Sequence, residues 1–140
     1  MNRKVKVLIA IALSYVAIVV VFETLLASFQ PRGDDNLVIT YTDSNGNPSN
    51  RVLSLFESDG EIYLAANHWP RAWFRTVQEN PNVHIEFGGA LSQQSGEYLA
   101  VPISEEDRTN ILADNPSSLV LRFLMGFPRR EFLRLEAQWD

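Results

Sequence analysis

The residues best suited to chemistry gather in one stretch, from Ala66 through Gly89, which holds both His, two of the three Trp, and two of the nine Arg that follow the N-terminal segment. Arg71 and Arg75, together with Arg51 upstream, carry planar guanidinium forks that suit a phosphate or another anionic tail. His68 can donate a proton to a reduced acceptor, because imidazole titrates near neutrality. Trp69, in the same loop, can wall a flat ligand, while Asn67 and Ser54 can hydrogen-bond a ring edge or a phosphate from strand ends. Trp73 falls on a helical stripe and reads as core, and His84 reads as a surface or barrel-lining residue with little case for catalysis.

Composition removes several other chemistries. There is no Cys, so thiol redox chemistry and thiolate metal sites are excluded, and any redox function needs a bound cofactor. No His, Asp or Glu cluster has metal-ligand spacing, no Gly-rich loop follows the dinucleotide pattern, and no serine hydrolase signature is present. From Pro31 onward 16 acidic residues face 9 Arg and no Lys, a balance that repels phosphate backbones and argues against nucleic acid as a partner.

The elements that must position these residues follow from hydrophobic period. Leu37 to Thr42 alternates, the turn Asp43-Ser44-Asn45-Gly46-Asn47 favours a hairpin, and Arg51 to Glu57 returns. Asp59-Gly60 makes a second tight turn before Glu61 to Ala66. Pro70 suits a helix start, with Trp73, Phe74 and Val77 as its buried stripe, and Asn80-Pro81-Asn82 ends it. Val83 to Phe87, a Gly88-Gly89 turn and Gly96 to Ile103 add two strands. Ser104 then caps a helix running to about Ala113, an apolar turn spans Leu119 to Met125, and Glu131 to Gln138 closes the set. Six strands with short helices at the crossovers predict a mainly β (α+β) fold, a small closed or half-closed barrel.

The N-terminus is of a different kind. Arg3, Lys4 and Lys6 precede sixteen uncharged residues, Val7 to Phe22, and apolar character resumes from Thr24 to Phe29. Counted through Glu23, this is long enough for a single-pass transmembrane helix, in a bilayer core of roughly 30 Å. A cleaved signal peptide and an interfacial helix are the alternatives, although Ala27-Ser28-Phe29 is a poor cleavage site and the wheel has no basic face. The positive flank favours a cytoplasmic N-terminus and an external domain. The expected organisation is therefore a membrane anchor over 1–30, a linker over 31–36 and the barrel domain over 37–140.

The order of hairpin, strand, Trp-containing loop, helix, Gly-Gly turn, strand and acidic-capped helix resembles the deazaflavin-dependent nitroreductase family, part of the split β-barrel flavin-binding superfamily. The resemblance covers about Leu37 to Gln138. It is carried by Pro70-Arg71-Ala72-Trp73-Phe74, Asn80-Pro81-Asn82-Val83 and Glu105-Glu106-Asp107-Arg108. It implies reduction of a small lipophilic acceptor, such as a quinone or nitro compound, by hydride from a deazaflavin coenzyme or FMN, and a homodimer. Arg51, Ser54, Asn67, Trp69, Arg71 and Arg75 would then bind the cofactor and His68 would serve catalysis. Where family members carry basic residues in the first hairpin, this chain has acid and amides, with Arg51 the nearest cation. A barrel that binds a flavin, haem or lipophilic ligand without catalysis, and a structural membrane protein, remain the rival classes.

Overall fold

The computed structural model describes residues 2–28, 35–66 and 72–139. Its elements run α1 (Arg3–Ser28), β1 (Asn36–Thr42), β2 (Pro48–Ser58), β3 (Glu61–Ala66), α2 (Ala72–Glu79), β4 (Asn82–Phe87), a 3-10 helix (Gly89–Gln94), β5 (Gly96–Pro102), α3 (Glu105–Asp114), α4 (Leu119–Leu124) and β6 (Glu131–Ala137). Two compact units result: residues 1–30 with 117–129, and residues 31–116 with 130–140.

The second unit is the expected barrel. Six antiparallel strands close in the order β1-β2-β3-β6-β5-β4, with β1 against β4 as the seam. The turn between β1 and β2 is organised by Asp43, whose Oδ1 accepts the backbone N–H groups of Asn45 and Asn47 at 2.8 and 2.9 Å, while Gly46 takes the positive φ of 81°. Asp59 and Gly60 both adopt positive φ, the geometry that lets a two-residue turn follow strand twist. Between β4 and β5 the expected tight turn is instead a 3-10 helix. Ser95 ties it down by accepting the N–H of Phe87 at 2.9 Å.

Strand alternation fills the barrel. Leu37, Ile39, Leu53, Leu64, Val83, Ile85, Leu133 and Leu135 form one buried cluster with Trp73, Phe74 and Val77 of α2. The stripe read from helical spacing is thus the face that α2 buries. A second cluster lies outside the barrel wall, where Tyr63, Ala65 and Phe132 meet Ile111 of α3. That explains why consecutive residues Phe132 and Leu133 are both buried although β6 alternates: one points into the barrel and the other under α3.

α3 begins as its sequence predicts. Ser104 Oγ accepts the N–H of Asp107 at 3.0 Å, and three acidic residues occupy the first turn. Its far end is fastened to the barrel by side chains. The hydroxyl of Ser58 donates to Asp114 at 2.5 Å, Asn115 Nδ2 donates to the Glu57 carbonyl at 3.2 Å, and Arg130 donates to the Asn115 carbonyl at 2.9 Å. The Arg130 guanidinium also lies 4.9 Å from the Phe56 ring centroid and 5.5 Å from that of Phe132.

The first unit pairs α1 with the segment 117–129. α1 has 26 residues and is long and apolar enough to cross a membrane, with none of its apolar window buried in protein. The hydroxyl of Tyr15 donates to the Phe123 carbonyl at 2.9 Å and the two rings are 4.8 Å apart. Gly126, at φ 76°, approaches Val19 so closely that a Cβ there would sit 3.2 Å from a Val19 methyl.

Candidate functional site

The middle of the barrel is packed with side chains. Ile39, Leu64, Ile85 and Leu133 are fully buried, as expected for the narrow interior of a small barrel, so a planar ligand needs the rim or the outer wall. The strand registers show where the wall opens. β2 pairs with β1 from Pro48 to Ser54 but with β3 only from Leu55 to Ser58, so among the described residues the first half of β2 has one unpaired edge. Such an edge presents backbone N–H and C=O groups to whatever lies beside it.

Arg51 stands on this half-strand. It is opposite Ile39 in the register, which puts it on the face that lines the barrel, and it is half-buried there. Tyr41 and Ser49 share that face one pair further toward the turn, and Tyr41 packs against the core. α2 belongs to the same end, because it connects the last residue of β3, paired with Glu131, to the first residue of β4, paired with Leu99. Arg75 is exposed on α2, a half-turn away from Trp73 and Val77. The structure thus brings Arg51 and α2 to one end of the barrel.

Ser54 does not join them. It is opposite Asn36 and exposed, and since it is an odd number of residues from Arg51 its side chain leaves the other face of the strand. Asn67, His68, Trp69 and Arg71 lie outside the described residues. His84 is on the outer wall, where its Nδ1 is 2.6 Å from Glu97 Oε1 and both side chains are largely exposed. Arg108 is paired with Glu105 at 3.0 Å on α3 and takes no part in the open end. Among the described residues no group of three or more His, Asp or Glu could hold a metal ion.

The opposite end of the barrel carries an aromatic group that spacing alone does not reveal. Tyr98 meets Phe87 at 5.8 Å and Trp139 at 4.8 Å, both edge to face. Gly96 makes room for Trp139, because a Cβ there would come within 2.9 Å of the indole. Burial raises the Tyr98 phenol above its ordinary range, so it stays a donor and holds the Gln94 carbonyl at 2.8 Å. Tyr63, under α3, is raised as well, first by burial and then by the Asp107 carboxylate. Tyr98 packs in the main core cluster and Tyr63 in the cluster under α3. Of these aromatic residues, alternation groups Phe87 with Val83 and Ile85, but it leaves the inward face of β5 open and says nothing of Trp139.

No family model matches the sequence, and no curated protein matches it. Solved structures do match the fold. The heme storage protein HutZ from Vibrio cholerae is 14% identical, with 85% of this chain and 87% of that chain covered and a TM-score of 0.56. An F420-H2 dependent reductase is 17% identical, covering 73% of this chain and 94% of that one at a TM-score of 0.54. A domain-swapped dimer, also 17% identical, covers 73% and 80% at 0.55. At such identities the likeness establishes the fold, which is the split barrel that the sequence resemblance implied.

Proposed function

We propose that the chain is a membrane-anchored oxidoreductase in which the open end of a split barrel holds a flavin-type cofactor, a deazaflavin or FMN, and admits a small lipophilic acceptor such as a quinone or nitro compound. The observation that carries this reading is the first half of β2, whose second edge has no strand partner among the described residues, with Arg51 on its barrel-lining face, next to an interior already filled. Arg51 fits the anionic tail of such a cofactor, Arg71 and Arg75 would complete that hold, and the free strand edge fits the polar rim of its ring. Trp69 would wall the ring, Asn67 would bind its edge, and Ser54, as an exposed residue of the other face, would act only from outside the groove. The cofactor supplies the hydride when bound. His68 would donate the proton that the reduced acceptor needs. α1 would keep the chain at the membrane where lipid-soluble acceptors are found, with residues 1–30 as anchor and a cytoplasmic N-terminus. We further propose a homodimer, since a domain of this size has little room to enclose a flavin alone.

One observation favours the rival, a barrel that binds flavin or haem without catalysis. The first turn, 43–49, carries an acid and amides but no basic residue, and its Asp43 holds the loop, so that turn adds no cation to the site. Titration of a deazaflavin, FMN and haem into the full chain in detergent separates the readings. Arg51→Ala and Arg71→Ala are each expected to weaken flavin binding by a charge-assisted hydrogen bond, about 1.5 to 3 kcal/mol or roughly tenfold to a hundredfold. Arg108→Ala should leave affinity nearly unchanged. Flavin binding with no hydride transfer to any quinone, or binding of haem alone, would favour the non-catalytic barrel. Equal affinities in all variants would move the site elsewhere. Light scattering on the same samples should give the mass of a dimer, and a monomer with cofactor bound would remove the dimer.

A further inference from the structure

The segment 117–129 leaves the barrel chain after Pro116 and returns at Arg130, and it shares the first compact unit with residues 1–30. Its surface is unusual for a water-facing loop. Leu119 and Val120 are 72% and 71% exposed, and Leu121, Phe123 and Phe127 are exposed too. Of these, Phe123 adjoins the bare apolar surface of α1, lining a groove shared with Val7, Ile11, Tyr15 and Ile18. Exposed apolar surface of this kind marks a contact with an apolar medium or partner.

Position along α1 decides which. The segment touches α1 at Tyr15 and Val19, near the middle of a helix that ends at Ser28. At 1.5 Å per residue these contacts lie about 20 and 14 Å from that end. If α1 crosses a hydrocarbon core of roughly 30 Å, whatever packs on its middle is inside that core. We infer that residues 117–129 form a re-entrant hairpin embedded in the same lipid bilayer as α1. This rests on the membrane-anchored reading above.

The hairpin's backbone suits that medium. Irregular chain is tolerated at membrane depth only where its polar groups are satisfied internally. Here Ser118 Oγ accepts the N–H of Leu121, and the N–H groups of Arg122, Met125, Gly126 and Phe127 all reach carbonyls within the segment. The Phe123 carbonyl receives the Tyr15 hydroxyl in addition, and Pro128 has no N–H to satisfy. Arg122 is the sole charge between Ser117 and Pro128, its guanidinium 5.7 Å from the Phe127 ring centroid. Its long stem lets the charged head reach lipid phosphates while the stem stays among apolar groups.

The chain lacks Cys, so single-cysteine labels are clean. Leu119→Cys, Val120→Cys, Val16→Cys and Ser44→Cys would each be labelled with an environment-sensitive fluorophore in the full chain. The proteins would then be reconstituted in phosphatidylcholine–phosphatidylglycerol vesicles containing acyl-brominated lipid. The expected result is a blue-shifted emission at 119 and 120, lost on adding brominated lipid and insensitive to aqueous iodide, as at 16 and opposite to 44. Iodide quenching at 119 and 120 equal to that at 44, with 16 lipid-quenched, overturns the hairpin and leaves the anchor. Protection from both quenchers means a protein partner covers the segment and also overturns it. Iodide quenching at 16 removes anchor and hairpin together.

Discussion

Arg51 and Ser54 stand on one strand, and strand parity sends their side chains to opposite faces. Read along the sequence they look like neighbours. Only the register against β1 shows that Arg51 shares a face with Ile39 while Ser54 shares one with Asn36. The guanidinium was legible because its chemistry is independent of context; the groove it faces was not, because it depends on where pairing between β2 and β3 stops. Tyrosine titration offers a test at the same scale. Tyr63 and Tyr98 have pKa values raised by burial in the folded state, so the unfolded chain releases those protons first as pH rises. Stability is therefore unaffected well below about pH 10 and falls as pH climbs through the raised native values. Denaturant melts at increasing pH, with tyrosinate absorbance, should show this loss. Tyr98→Phe should reduce it; an unchanged pH dependence in that variant would place the alkaline loss on other groups.

At the scale of elements, the strands and helices were largely visible. Alternation marks the strands, Asp59-Gly60 and Asp43 to Asn47 mark the turns, and Ser104 marks the start of α3. The insertion of β6 between β3 and β5 was not, because its partners are chosen by the burial of its own Leu133 and Leu135 against residues of strands far away in sequence. The 3-10 helix after β4 was hidden by a Gly-Gly pair that suggests a tighter turn. Arg130 was also silent in sequence, although it links three elements by its hydrogen bond to Asn115 and its stacking on Phe56 and Phe132. Arg130→Ala should lower stability by about 1 to 3 kcal/mol, the sum of one hydrogen bond and the loss of two ring contacts. Arg130→Lys should recover only part, since an ammonium lacks the flat face that lies over the rings. Chemical denaturation of the full chain in detergent measures both, and wild-type stability in the alanine variant would show that α3 is held by Ser58 and Asn115 without it.

At the scale of the molecule, the exposed large apolar side chains fall mostly in the first compact unit, among them Val7, Leu8, Leu119 and Val120. Every residue of the main core cluster lies between Leu37 and Leu135 in the barrel unit, so removal of residues 1–30 should leave that core intact. The truncated chain nonetheless keeps Leu119, Val120, Phe123 and Phe127, and it loses the Tyr15 hydroxyl from the Phe123 carbonyl. It should therefore fold and still require detergent. Replacing 117–129 by a short Gly-Ser linker in that truncated chain should release it into water. Such a linker can close the gap, because Asn115 and Arg130 on its two sides are already in hydrogen-bond contact. Size-exclusion chromatography without detergent, with circular dichroism to follow the strands, reads both proteins. A monodisperse, detergent-free protein that lacks 1–30 and retains 117–129 would show that the segment tolerates water, and an unfolded double variant would show that the segment is part of the barrel's own core.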